Sequence, residues 1–268
     1  MIVARRVAAA IAVAASLGAA ACSAPAPPQQ APAPGAASGE HHHAAAAPGT
    51  ATAHGQPRGR LVVHADHQLR PVLDRLAASF EEAFPHTDVL VEYGAGHARH
   101  LAGGAAVDVL VTGDPAATAG AAAHGASVTV ARDPLVLATA RTTTGTTAAD
   151  LLRPGVRVAL CATGTSCGDA ARLGTGRHRV TVRADGRGAV AAVVTGAADV
   201  ALVHRTDVVA AGADLRVVDF REGLEHADRY VLTVAAHSRN PVTADAFRAL
   251  MTSALATRVF SDAGFTAA

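Results

Sequence analysis

The chain has 268 residues, half of them hydrophobic and only 3% aromatic with no Trp, and a formal net charge of +1. That length can bury one large core or two. The near-zero charge gives no reason to expect a nucleic-acid partner, and the scarcity of aromatic rings argues against stacking platforms for sugars or bases.

The first residues, "MIVARRVAAAIAVAASLGAAAC", place Arg5 and Arg6 before an apolar run and small residues before Cys22. This is the pattern of a secretory signal over residues 1–22, too short to serve as a dependable membrane span. Cys22 after Ala19-Ala20-Ala21 resembles the bacterial lipobox, with Ala19 where Leu is usual, so Cys22 is the expected lipidation site. Residues 23–58 are Pro, Ala, Gly and Gln with few large apolar side chains and cannot bury enough surface to fold, so they are expected to form a tether. His41, His42 and His43 within it could hold a metal only loosely. Two of the three Cys remain, Cys161 and Cys167 in "CATGTSC". In an oxidising compartment they are expected to form a disulfide, since the local sequence shows no partners for a metal pair or a nucleophile.

From residue 60 the pattern alternates strand and helix. "RLVVHA" is a short apolar run, and Leu69, Val72, Leu73, Leu76, Phe80 and Phe84 then recur at three- and four-residue steps up to Pro85. "DVLVEY" and "VDVLVT" read as strands flanking a short helix "HARHLAGG", and "PAATAGAAAHG" as a helix capped by Gly125. "PLVLATA" is a strand, "TTAADLL" a short helix, and "GVRVAL" a strand leading through the Cys loop into the helix "GDAARL". "HRVTVR" and "DVALVH" are strands around the helix "GRGAVAAVVTG", stopped by Gly196. "DLRVVDF" and "RYVLTVAA" are strands, and 241–263 reads as one helix. Such alternation predicts an α/β fold with mainly parallel sheets, whose ligands bind beyond the carboxyl ends of strands. The polar stretch His64-Ala65-Asp66-His67-Gln68 falls at such an end.

The ordered series "LVVHADHQLRPVLDRLAASFEEAFP", "VEYGAG", "AAVDVLVTGD", "DPLVLATA", "LLRPGVRVALCATGTSCGDAA", "GAVAAVVTGAADVALVHRTD" and "AFRALMTSALATRVFSDAGF" resembles the periplasmic molybdate-binding proteins of ABC importers, over about residues 60–265. The resemblance implies a two-lobed, type II-like periplasmic-binding-protein fold with the ligand cleft between lobes and two hinge crossings, near "PLVLATA" and "RYVLTVAA". Lobe 1 is then 59–132 plus 235–268 and lobe 2 is 133–234. It also implies an exported lipoprotein on the outer face of the cytoplasmic membrane, a monomer, delivering molybdate or tungstate to a permease whose ATPase is a separate chain. No P-loop pattern occurs in this one.

Family members hold a desolvated oxyanion with helix N-terminal N–H groups and neutral hydroxyls. Here the usual Ser of the first strand–helix turn falls on Gln68, preceded by Asp66 and His67. The second Ser falls on Gly96, followed by His97. The late Tyr falls on His204, and the Val of the lobe 2 loop on Thr165, beside Ser166. Two chemistries follow. Gln68, Thr165, Ser166 and His204 can donate to an oxyanion. Alternatively Asp66, His67, His97 and His204 together would suit Zn²⁺. A degenerate cleft with no tight ligand is the third possibility. His64, His100 and His124 are assigned to packing or surface. No enzyme is expected: Ser166, Asp169 and His204 make a triad on paper only.

Overall fold

The computed structural model describes residues 55–268 apart from 103, 105, 122, 146, 171–178 and 213. The signal segment with Cys22, the His41–His43 tract and most of the tether lie outside the described residues.

The first strand, β1 (Gly59–Asp66), buries Leu61, Val63 and Ala65 on one face. A single 3-10 turn, His67–Leu69, leads into α1 (Arg70–Ala83), which starts with Pro71 in its first turn and buries Val72, Leu73, Leu76, Ala77 and Phe80 against that face. Then come β2 (Thr87–Gly94), α2 (His97–Ala102), β3 (Val109–Thr112), α3 (Pro115–Gly120) and β4 (Val128–Asp133). The chain crosses at Pro134. Beyond it lie β5 (Leu135–Ala140), α4 (Ala148–Leu151), β6 (Arg157–Cys161), α5 (Ser166–Ala170), β7 (Arg179–Arg183) and α6 (Gly186–Val194). The second half of this lobe is β8 (Val200–His204), α7 (Arg205–Ala211), β9 (Leu215–Val218) and α8 (Arg221–Glu225). The chain then crosses back into β10 (Asp228–Val234), α9 (Pro241–Met251) and α10 (Ala254–Asp262).

Two five-stranded sheets result, ordered β2-β1-β3-β10-β4 and β7-β6-β8-β5-β9. In each, four strands run one way and one runs against them: β10 in the first and β5 in the second. The opposed strands are the two that follow the crossings. Each sheet has its own apolar core. In the first, Phe80 meets Phe247 edge-on at 5.4 Å, so α1 and α9 share one side of the sheet.

Four sequence expectations change. Residues 228–234 were placed in lobe 2, but β10 hydrogen-bonds to β3 and β4 and belongs to the first sheet. The helix from Pro115 ends at Gly120, with Ala121 as its cap; Gly125 has φ +78° in a later bend. The C-terminal helix is two, because the Ser253 hydroxyl caps α10 by accepting from the Ala256 N–H. Finally, "VTVARD" is a strand in its own right (β4), and α7 and α8 follow strands directly, too short to show a periodicity.

Candidate functional site

The carboxyl ends of β1, β2, β3, β6 and β8 open on one cavity of about 590 Å³, lined by residues of both sheets. A cavity of equal volume, lined by Thr143, Asp150 and Asp199, lies wholly in the second lobe, away from those strand ends. The interlobe cavity receives Asp66, His67, Gln68 and Gly96 from the first lobe, and Thr165, Ser166 and His204 from the second. A smaller adjoining cavity shares His67 and Gln68 and adds Arg70 and Arg187.

Asp66, the last residue of β1, turns its carboxylate toward its own lobe. It accepts from the Thr112 hydroxyl at 2.9 and 3.0 Å and from the Gly113 N–H at 2.7 Å. His97 is 2% exposed and places Nε2 3.2 Å from Asp66 Oδ1, close enough for an ion pair. The ring is turned out of hydrogen-bond alignment, so both its nitrogens are buried without a hydrogen-bond partner. His64 is also buried, its Nε2 3.1 Å from Glu92, and burial holds its pKa below the ordinary imidazole value. His100 and His124 are exposed. His97 therefore packs behind Asp66 and does not line the cavity.

On the other side, β6 runs into the Cys161–Cys167 disulfide, which closes the loop carrying Thr165 and Ser166. The Thr165 hydroxyl donates to the Ala162 carbonyl at 2.6 Å and accepts from the Gly168 N–H, so it shapes the loop. A Cβ on Gly168 would come within 1.8 Å of the Ala162 carbonyl oxygen, which is why only glycine fits there. Asp169 accepts from the Gly164 N–H at 3.0 Å, so the paper triad does not form through it. Ser166 instead meets His204: its Oγ lies 3.1 Å from His204 Nε2.

His204, at the end of β8, is 5% exposed. Its Nδ1 lies 3.2 Å from the Asp133 backbone carbonyl, which can only accept, so Nδ1 carries a proton, while Nε2 faces the Ser166 hydroxyl. Asp228 Oδ2 is 3.4 Å from the same Nε2. Asp133 ends β4, one residue before the crossing, and takes the Thr206 hydroxyl at 2.5 Å. Burial pushes its pKa up to about 6, against the opposing pull of His204 and the Thr206 hydrogen bonds. Asp207 is also raised, by burial first, and its carboxylate packs against Gly186, where an added Cβ would meet it at 1.8 Å.

The sequence reading missed Asp114, Asp185, Gly186, Asp207, Asp228 and Tyr230, which also line the cavity. Asp114 and Asp185 cap α3 and α6 through the Ala116 and Gly188 N–H groups, a helix-start signal visible in "GDP" and "ADG". Tyr230 is 3% exposed, stacked edge-on against Phe265, and burial first, then four surrounding carboxylates, raise its pKa. Its hydroxyl stays protonated and can donate. Among the described residues, no group of three or more His, Cys, Asp and Glu side chains is arranged to hold a metal ion. Asp66 and His97 stand together, His67 is exposed, and His204 is engaged by Ser166, so the proposed Zn²⁺ set does not assemble.

The chain is similar to several known proteins. The "Molybdate-binding protein ModA" of Mycobacterium tuberculosis is 28% identical over 218 residues, covering 76% of this chain and 84% of that protein. The substrate binding domain assigned to a molybdenum ABC transporter from Clostridium difficile has a similar fold, with TM-score 0.71 at 19% identity, over 78% of this chain and 99% of that one. The periplasmic molybdate-binding protein of Azotobacter vinelandii matches with TM-score 0.57, also at 19% identity, over 78% and 99%. Among the described residues no helix is long and apolar enough to cross a membrane. The pattern of the bacterial extracellular solute-binding proteins matches residues 61–266, nearly all of the folded region, and the chain belongs to that family.

Proposed function

We propose that this protein is the ligand-binding component of an ABC importer and that its interlobe cavity takes a small tetrahedral oxyanion of the molybdate or tungstate class. The observation that carries this reading is the convergence of Gln68, Ser166 and Tyr230, three neutral donors from both lobes, at strand ends around one cavity. Neutral donors can replace the hydration shell of an anion without a full counter-charge. Arg70 and Arg187 in the adjoining cavity add a favourable field at the entrance. Molybdate is the ligand named for the mycobacterial relatives, which supports testing it first. The partners are a permease and an ATPase carried on other chains.

The test is thermal melting of the purified full-length protein against molybdate, tungstate, sulfate, phosphate and Zn²⁺. A ligand that binds only the folded state raises the melting temperature with its concentration over its Kd. A rise with one or more oxyanions supports the reading; a rise with Zn²⁺ alone overturns it. We propose further that Cys22 is acylated and anchors the protein to the membrane. Cys22→Ala should then move the protein out of the membrane fraction, and unchanged membrane association would refute the anchor.

A further inference from the structure

Polar groups from four elements meet at the His204 ring. From β4, the Asp133 carbonyl lies 3.2 Å from Nδ1 and its carboxylate 4.0 Å. From β10, Asp228 Oδ2 lies 3.4 Å from Nε2, and from α5 the Ser166 hydroxyl lies 3.1 Å from the same nitrogen. Asp207, on the helix that His204 precedes, accepts from the His204 backbone, and Arg205 spends its charge on Asp219. Asp133 and Asp228 are partners in the β4–β10 register, at the two crossings between the lobes. An imidazolium at this place has a carboxylate facing each of its nitrogens.

Ser166 is where that ring meets a ligand. Its hydroxyl stands exposed on the cavity wall, and among the described residues its hydrogen-bond partner is His204 Nε2. A hydroxyl has one proton to give. When Nε2 presents a lone pair, the Ser166 proton goes to His204, and a ligand oxygen meets only lone pairs. When Nε2 carries a proton, it donates to Ser166 Oγ or to Asp228, and the Ser166 proton is released toward the cavity. Nδ1 takes no part in the choice, because the Asp133 carbonyl can only accept and keeps a proton there in both states.

We infer that His204 is a positioning residue for the ligand, and that a proton on its Nε2 turns Ser166 from a donor to imidazole into a donor to the bound oxyanion. This rests on the oxyanion reading above and deepens it. Binding draws a proton from solvent onto Nε2, turns the Ser166 hydroxyl from Nε2 to a ligand oxygen, and leaves the imidazolium between Asp133 and Asp228. The anion thereby acquires a positive charge in a cavity whose described lining includes Asp66, Asp114, Asp185, Asp207 and Asp228 but no Arg. A His204 that only packed would leave the worth of the Ser166 hydroxyl the same at every pH.

The experiment is calorimetric titration of the purified full-length wild type and Ser166→Ala with molybdate, tungstate and sulfate, each a dianion in dilute solution. It is run at about pH 6 and about pH 8.5, on either side of the ordinary imidazole value. Both proteins share Asp133, His67 and the cavity carboxylates, so titration of those groups cancels from the comparison. Ser166→Ala should weaken binding about tenfold at the lower pH, the worth of one hydrogen bond, and less than about twofold at the higher. In His204→Gln, the added Ser166→Ala change should cost the same factor at both, with the melting temperature recording that the variant folds; if it does not fold, the first comparison decides. An anion that binds while Ser166→Ala costs the same factor at both pH values overturns the inference and leaves the oxyanion reading standing. A pH-dependent Ser166 cost that survives in folded His204→Gln does the same. Neither heat nor a rise in melting temperature with any of the three anions overturns both.

Discussion

Ser166 Oγ and His204 Nε2, 3.1 Å apart, join a loop after β6 to the end of β8, and both line the cavity between the lobes. Ser166 is exposed while His204 is buried, so the pair presents the hydroxyl to a ligand and keeps the imidazole as its support. Ser166→Ala should weaken oxyanion binding about tenfold, the worth of one hydrogen bond, with little change in melting temperature. Calorimetry and a melting curve on the same variant check both halves. Unchanged affinity would remove Ser166 from the binding set.

The disulfide fixes the loop on which Ser166 stands. Replacing Cys161 and Cys167 together by Ala should cost about 2 kcal/mol in urea unfolding, the loop-closure value for so short a ring. Ligand affinity should fall as well, because the loop must then be ordered by the ligand itself. A variant with lost stability and full affinity would show that the loop is shaped by the Thr165 hydrogen bonds alone.

Gly168 makes the same point through sterics. Any Cβ there meets the Ala162 carbonyl oxygen at 1.8 Å, and backbone cannot swing aside as a flexible side chain can. Gly168→Ala should destabilise the protein by roughly 2–3 kcal/mol, the usual cost of overpacking, and displace Ser166. Chemical denaturation measures the first effect and titration calorimetry the second.

Asp133 gives a pH dependence whose sign is fixed. Its folded-state pKa, about 6, lies above its ordinary value of 3.8, so the native state holds a proton that the unfolded state releases. Its contribution is fully present below about pH 4 and is lost as pH rises through about 6. Asp133→Asn keeps an acceptor for the Thr206 hydroxyl and removes the titration. The unfolding free energy from urea titrations between about pH 4 and 7 should fall less in this variant than in the wild type, by an amount on the order of 2 kcal/mol. Parallel curves would show that Asp133 does not titrate there.

Much of the fold was legible because apolar periodicity reports burial directly. Leu69, Val72, Leu73, Leu76, Phe80 and Phe84 read as the inner face of one helix; the first five are buried, Leu69 in the turn before α1, and Phe84, just past its end, is half-buried. Strand ends facing a ligand followed from the alternation of strand and helix, which brought out Asp66, His67 and Gln68, while Gly96, Thr165, Ser166 and His204 came from the resemblance to molybdate-binding proteins. Sheet membership was less accessible. Whether "RYVLTV" joins the first or second sheet depends on partners about 100 residues away, and local pattern carries nothing about them. Asp228 and Tyr230 were missed for that reason, since they reach the cavity only because β10 sits beside β3. His97 was read as a ligand and is a buried neighbour of Asp66, because a helix of six residues does not reveal which way its first side chain turns.

Residues 135–225 form one uninterrupted sheet with its helices, while the other sheet is assembled from strands on either side of that stretch. Synthesis and export release the chain from its amino end, so the two halves of the molecule become foldable in the reverse of their order along the sequence. The second lobe has all its strands once residue 218 has emerged. β3 must wait for β10, and Phe80 for Phe247, with its apolar face uncovered in the meantime. A chain cut after residue 227 should keep the second lobe able to fold and leave the first an open, sticky edge. The amino-terminal half is thus the part most in need of protection during secretion, although it is made first.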